Sequence, residues 1–206
     1  MGLKLTLNFN SLVEETRKLK AKGLDIKSIA DELNIKPETV SWLLMNEEEK
    51  KKNPPPKDYR VDWSCLGLST RRLSLIGWAL ADLAKECVSR GDFEDFEVVV
   101  GLETQGSPLA LVVADELGKS FATLKVEREK EKTLCFTSLN FSKVEEAKAL
   151  LVTDVTDSSN ETLVEAVKLF KKNKTKLVGL VSIVNKGKAE IEGVKVWALI
   201  TIIPIG

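Results

Sequence analysis

Histidine is absent from the 206 residues, and that absence removes whole classes of chemistry. Ser-His-Asp and Cys-His catalysis are excluded, and so are histidine-based zinc sites. Cysteine is scarce: Cys65, Cys87 and Cys135 are odd in number and show no CxxC spacing. Together with the lack of a recognisable signal segment, this points to buried thiols in a reducing cytoplasm, with no structural zinc. An excess of charge of either sign is also missing. The 31 basic and 31 acidic residues cancel, so no long-range field attracts nucleic acid and any such binding has to come from a local patch. Nor does any apolar run reach the roughly 20 residues that cross a bilayer. The longest, Val194 to Ile205, contains Lys195 and Thr201 and has the composition of a strand, so no membrane partner is expected.

The chain does have enough apolar material, 43%, to build a real core. Its length suits one α/β domain with a smaller one attached. The stretch EEEKKKNPPPKDYR, Glu47 to Arg60, divides it. A charge run followed by three prolines cannot continue a helix and favours an extended, semi-rigid spacer. The expected organisation is a helical domain over 1–50, a proline-rich linker over 51–60 and a domain of alternating strands and helices over 61–206.

In the first domain, SLVEETRKLKAKG reads as an amphipathic helix closed by Gly23, with Leu12, Val13 and Leu19 on its apolar side. In DIKSIADELNIKPETVSWLLMN, Asp25 is placed to cap a short helix through Leu33. Asn34 suits the left-handed turn conformation, and Pro37 suits the first turn of the next helix. Ile26, Ile29, Ala30, Leu33, Ile35, Val40 and Leu43 fall where two crossed helices bury them. This is the spacing of a helix-turn-helix. It sets Lys36, Glu38, Thr39, Ser41 and Trp42 on or near the exposed face of the second helix, as candidate contacts to double-stranded DNA. Arg17, Lys18, Lys20, Lys22 and Lys27 are the nearby basic residues. A small helical bundle with Trp42 as a core anchor is the alternative for the same residues.

The second domain opens with a long helix ending at Gly91. Strands are expected at Glu97–Val100, Ala122–Val126, Leu134–Thr137, Ala149–Thr153, Lys176–Val184 and Val194–Ile203, with helices at Pro108–Leu117 and Asn160–Lys172 among them. Alternation of this kind predicts an α/β fold with a mostly parallel sheet covered by helices on both faces. Such sheets bind ligands beyond the carboxyl ends of their strands. Two loops fall there, GLETQGSPLA after Val100 and TDVTDSSNET after Val152. In the first, Gly101 and Gly106 allow close approach, and Ser107 is placed to cap the following helix. In the second, Ser158 to Glu161 fits a capping box that puts Glu161 where an anion would otherwise sit. Asn160 stands where a positive φ is called for.

With both loops in view, the chain from about Val61 onward resembles the type I phosphoribosyltransferases, the orotate enzymes above all. Gly101, Thr104, Gly106, Pro108, Leu109 and Ala110 match the loop that contacts pyrophosphate in that family. Asp154, Val155 and Thr162 match parts of the acidic turn that holds ribose-5-phosphate. The helix-turn-helix, with ETVSWL (Glu38–Leu43) and VDWSCLG (Val61–Gly67), narrows the resemblance to archaeal orotate phosphoribosyltransferase-like transcriptional regulators, the GfcR-type proteins linked to sugar-catabolism genes. That resemblance implies DNA binding by the helical domain and sensing of a small phosphorylated effector by the other, with a homodimer as the working unit. The implied ligand-binding residues are Glu103, Thr104, Gln105, Gly106, Asp154, Asp157, Ser158, Ser159, Asn160 and Thr162.

Two features depart from the enzymes. Their pair of adjacent acids appears here as Thr153 and Asp154, and the glycine of their phosphate turn is replaced within Ser158–Asn160. The expected function is therefore effector sensing by a degenerate transferase domain. An active phosphoribosyltransferase is the alternative, in which Asp154, Asp157 and Lys125 carry the reaction on phosphoribosyl pyrophosphate, with magnesium as the possible cofactor. A third reading makes the chain a protein-interaction module. KVEREKEKTL, Lys125 to Leu134, lies where the enzymes carry a mobile basic loop. Its alternating charges read equally as a solvated hairpin.

Overall fold

The computed structural model describes residues 9–129 and 132–203, with the side chains of 128–133 outside the described set. The chain separates into two compact units, Met1–Asp62 and Trp63–Gly206.

The first unit is helical: α1 (Phe9–Ala21), α2 (Ile26–Leu33), α3 (Pro37–Leu44) and α4 (Glu47–Lys52). Asp25 caps α2 by accepting the Ser28 amide at 2.7 Å. Asn34 then reverses the chain at φ 53°, and Pro37 opens α3, so each step of the turn follows the local chemistry expected of it. Ile29, Ala30, Leu33, Ile35, Val40 and Leu43 are buried together, with Leu12, Val13, Leu19 and Trp42 packed against them. One expectation fails in this unit. The charge run is a helix, not the start of an extended spacer. Asn46 and Glu49 form a reciprocal capping box. Glu47, Glu48 and Glu49 occupy the positive end of the helix dipole and Lys50, Lys51 and Lys52 the negative end. A run of like charges fails to order only when nothing sorts it along an axis, and here the dipole does.

The second unit begins with a short turn, α5 (Ser64–Gly67), and the long α6 (Thr70–Ser89). There follow β1 (Val98–Leu102), α7 (Gly106–Leu117), β2 (Ser120–Glu129), β3 (Lys132–Thr137), β4 (Lys148–Thr156), α8 (Glu161–Lys172), β5 (Lys176–Asn185), β6 (Glu190–Ile191) and β7 (Val194–Thr201). The seven strands run in the order β3-β2-β1-β4-β5-β7-β6. β2, β1, β4, β5 and β7 are parallel, while β3 and β6 are antiparallel at the two edges. β1 is buried throughout, and β4 is buried beyond Lys148. That is the double burial of a parallel sheet covered on both faces. Val98, Val100, Leu102, Leu151 and Leu180 join Leu163, Ala166, Val167 and Phe170 of α8 in one core, while α7 lies over β1 and β4.

The segment from Lys125 is the antiparallel β2–β3 pair, in register from Leu124↔Thr137 to Glu129↔Lys132. Of the basic residues expected in a mobile loop, Lys125 is an exposed strand residue. Lys130 lies outside the described residues, as do the side chains of Arg128 and Lys132. No helix among the described residues is long and apolar enough to cross a membrane.

Candidate ligand site at the strand ends

The parallel strands β1 and β4 are neighbours, with Gly101 opposite Val152. Their carboxyl ends therefore deliver the two candidate loops side by side. The contact between loops is intimate: a Cβ on Gly106 would stand 2.4 Å from the Val152 carbonyl oxygen and 2.9 Å from the Thr153 Cα. A Cβ on Gly101 would stand 2.4 Å from the Ser107 Cα. Both glycines are thus required by the protein's own backbone, where the sequence suggested approach by a ligand. α7 starts at Gly106, two residues earlier than expected. Ser107 does not cap it, and its hydroxyl instead lies 3.4 Å from the Gly101 carbonyl. Glu103 and Gln105 are half-buried and Thr104 is exposed, across a cis Glu103–Thr104 peptide bond.

In the second stretch β4 runs on to Thr156, three residues beyond the expected end, so Asp154 is a strand residue, and it is 4% exposed. The Thr153 hydroxyl donates to its Oδ1 at 3.2 Å, and the indole N–H of Trp63 donates to its Oδ2 at 2.6 Å. Asp157 folds the turn around itself, its Oδ1 accepting both the amide (2.9 Å) and the hydroxyl (2.7 Å) of Ser159. The cap of α8 differs from the expected box. Asn160, at φ −75°, is the N-cap and its side chain accepts the Leu163 amide at 3.2 Å. Glu161 is the first helical residue and is exposed. Asn160 therefore adopts no left-handed conformation, because a capping asparagine needs the extended backbone that aims its oxygen into the helix. Glu161 keeps a favourable dipole position in the first turn. Thr162 is buried.

Asp154, Asp157, Ser158, Ser159, Asn160 and Thr162 thus surround one strand-to-helix turn, and the Glu103–Gly106 loop adjoins it. Lys125 sits two strands from β4 in the sheet order. Two neighbours escaped the sequence reading. The first is Trp63, whose motif was visible while its partner, 91 residues away, was not. The second is the Asn185–Lys188 loop. Its Gly187 lies so close that a Cβ there would stand 2.6 Å from the Ser158 amide. Asn185 Oδ1 accepts from the Thr156 hydroxyl and the Gly187 amide, locking that loop to the end of β4. A Lys-Gly-Lys between two strands was the available signal. Among the described residues no group of three or more His, Cys, Asp or Glu side chains is gathered to hold a metal ion. Asp154 and Asp157 each have an oxygen engaged by Trp63 or Ser159. A magnesium ion here would need the oxygens of a bound phosphate to complete its ligands, with Asp154 and Asp157 the carboxylates at hand.

The candidate DNA-contacting residues all lie on or beside α3. Glu38 is exposed, while Lys36, Thr39, Ser41 and Trp42 are half-buried. Asp58 Oδ2 accepts the Lys36 amide at 2.7 Å and the Thr39 hydroxyl at 2.8 Å. Ser41 donates back to the Pro37 carbonyl at 3.0 Å. The Trp42 indole donates to the Asn53 carbonyl at 2.8 Å and its ring is flanked by Phe9 and Lys50. Arg17, Lys18, Lys20, Lys22 and Lys27 are exposed on α1, α2 and the turn between them.

The sheet order, the strand-end loops and the acidic turn before α8 define a type I phosphoribosyltransferase fold. Residues 73–204, well over half of the chain, match the phosphoribosyl transferase domain. The orotate phosphoribosyltransferase from Aeropyrum pernix shares the fold with a TM-score of 0.53 at 20% identity, over 71% of this chain and 80% of that one. The transcriptional regulator GfcR of Archaeoglobus fulgidus is 40% identical over 201 residues, 95% of this chain and 97% of that protein. GfcR of Methanocella arvoryzae is 33% identical over 203 residues, with 95% and 97% covered. The chain belongs to the GfcR family of transcriptional regulators, within the phosphoribosyl transferase domain family.

Proposed function

We propose that the chain regulates transcription by binding double-stranded DNA through its helix-turn-helix and a small phosphorylated effector at the loops ending β1 and β4. The observation that carries this reading over catalysis is the acidic turn. Thr153 stands where the transferases have an acid, and the one carboxylate beside it, Asp154, accepts a hydrogen bond from the protein's own Trp63. A transferase needs its charged groups directed at the reacting sugar. A sensor needs only affinity that differs between two arrangements of the protein. The names of the full-length relatives support the same choice.

For DNA, Lys36, Glu38, Thr39, Ser41 and Trp42 remain the proposed contacts, with Ser41 and Lys36 the two to test. A homodimer reading two half-sites one helical turn or a multiple apart completes the reading, and sedimentation checks it. The test is operator mapping across the genome, followed by gel shifts with the recovered sequence. Specific binding that changes on adding a sugar phosphate or nucleotide is the expected result. Steady turnover of phosphoribosyl pyrophosphate with a nucleobase would install the enzyme reading in its place. That alternative draws on the intact fold and on Asp154 and Asp157 being present.

A further inference from the structure

Trp63 is the first residue of the second unit, and its side chain reaches Asp154 near the carboxyl end of β4. The ring lies across the α5 turn: a Cβ on Gly67 would be 3.0 Å from the six-membered ring of the indole. Any larger residue at 67 would push the ring by a few tenths of an ångström. Gly67 thus seats the indole, whose N–H meets a carboxylate that is almost wholly withdrawn from water. An indole nitrogen can only donate, and an ionised carboxylate only accepts. A hydrogen bond to a charged acceptor is among the stronger ones a protein makes. Asp154 also stands at the carboxyl end of a parallel strand, where open α/β sheets receive ligands. The donors a ligand would bring to such an oxygen are hydroxyl groups.

On the other side of the same peptide bond, the first unit holds the chain. Arg60 pairs with Glu15 at 2.8 Å and lies 4.0 Å from Asp62, and Asn34 donates to the Val61 carbonyl at 3.4 Å. One unit therefore grips the backbone up to Asp62, and the other grips it from Trp63 onward.

We propose that Trp63 is an internal competitor of the effector. A ligand bearing neighbouring hydroxyls and a phosphate takes Asp154 only by expelling the indole, and expulsion loosens the joint between Asp62 and α6. This deepens the proposed function and rests on the effector site assigned there. It supplies the differential interaction that a ligand needs in order to change the tie between sensing and DNA-binding units.

The experiment follows the indole N–H signals of the full chain by nitrogen-proton correlation spectroscopy. The four tryptophans give four signals, and Trp63→Phe identifies one by its loss while the other three report that the fold is kept. Asp154→Asn is expected to move the Trp63 signal upfield, and an unmoved signal overturns the proposal with no ligand involved. Ribose 5-phosphate and phosphoribosyl pyrophosphate are then titrated by calorimetry into both the native chain and Trp63→Phe. At least about tenfold tighter binding by Trp63→Phe is expected, given the strength of hydrogen bonds to charged groups. A shifted Trp63 signal in the saturated native chain is expected beside it. Gly67→Ala should raise affinity in the same direction by a smaller factor. Equal affinities with an unmoved Trp63 signal sink the competitor and leave the effector site standing. No binding of either probe to either protein sinks both.

Discussion

At the residue scale, this chain relies on contacts in which one atom decides what can happen nearby. Gly106 is such a residue, because its missing Cβ lets the first loop rest on the backbone of β4. Gly106→Ala is expected to destabilise the second unit by about 1–3 kcal/mol, the usual cost of overpacking, read as a lower midpoint in urea. Cys87 is another. It is buried on the inner face of α6, and burial, with Asp92 beside it, pushes its thiol up to about 11. A thiol raised in the folded state adds stability that is complete below about pH 9 and disappears as pH climbs towards 11. Thermal unfolding between pH 9 and 11 should therefore lose less midpoint in Cys87→Ala than in the native chain. An identical alkaline slope in the two would contradict this account.

At the element scale, the α2–α3 pair depends on two carboxylates. Asp25 begins α2, and Asp25→Ala should cost about 1 kcal/mol of the first unit's stability, the usual worth of an N-cap, followed by the helical signal on heating. Asp58 is brought from beyond the prolines to the start of α3, where it holds the Lys36 amide and the Thr39 hydroxyl. Asp58→Ala is expected to fray that turn and weaken operator binding in gel shifts, in the same direction as Lys36→Ala and Ser41→Ala. Unchanged affinity in all three would remove α3 from the interface. These elements also mark where sequence is readable. Asp25, Asn34 and Pro37 act within a few residues of themselves, so the turn could be foreseen to the residue. Six of the seven strands were legible for the same reason, since their burial is written as apolar runs, whereas the two-residue β6 carries no such run. Asp58 on Thr39, Trp63 on Asp154 and Gly187 on Ser158 join distant segments, and no local pattern announces them. The α8 cap was misread because Ser158, Ser159 and Asn160 are all capping residues, and only the path imposed by Asp157 selects among them.

For the whole molecule, electrostatics are balanced globally and sorted locally. At the amino ends of β4 and β5, Glu94 is held by Lys148 and Lys176, and Asp95 by Lys119. Hydrogen bonds from these lysines draw both carboxyls below the usual carboxylate range. Groups so depressed add stability above their ordinary range and lose it as pH falls through the folded value. The midpoint of unfolding should hold level from neutrality to about pH 5 and decline below that. Glu94→Gln should shorten the decline. Because the positive and negative charges cancel, DNA affinity of the proposed homodimer should fall with salt no more steeply than the phosphate contacts of its two helix-turn-helices demand.

At the seam between Gly106 and β4 the two loops meet main chain to main chain. Because backbone rests on backbone there, the spacing of the two loops does not depend on which side chains line them. Side chains such as Thr153 and Asp154 can be exchanged without touching the contact that holds the loops together. Substitutions along these loops should therefore change what the loops can hold more readily than how far apart they stand, which separates recognition from scaffold.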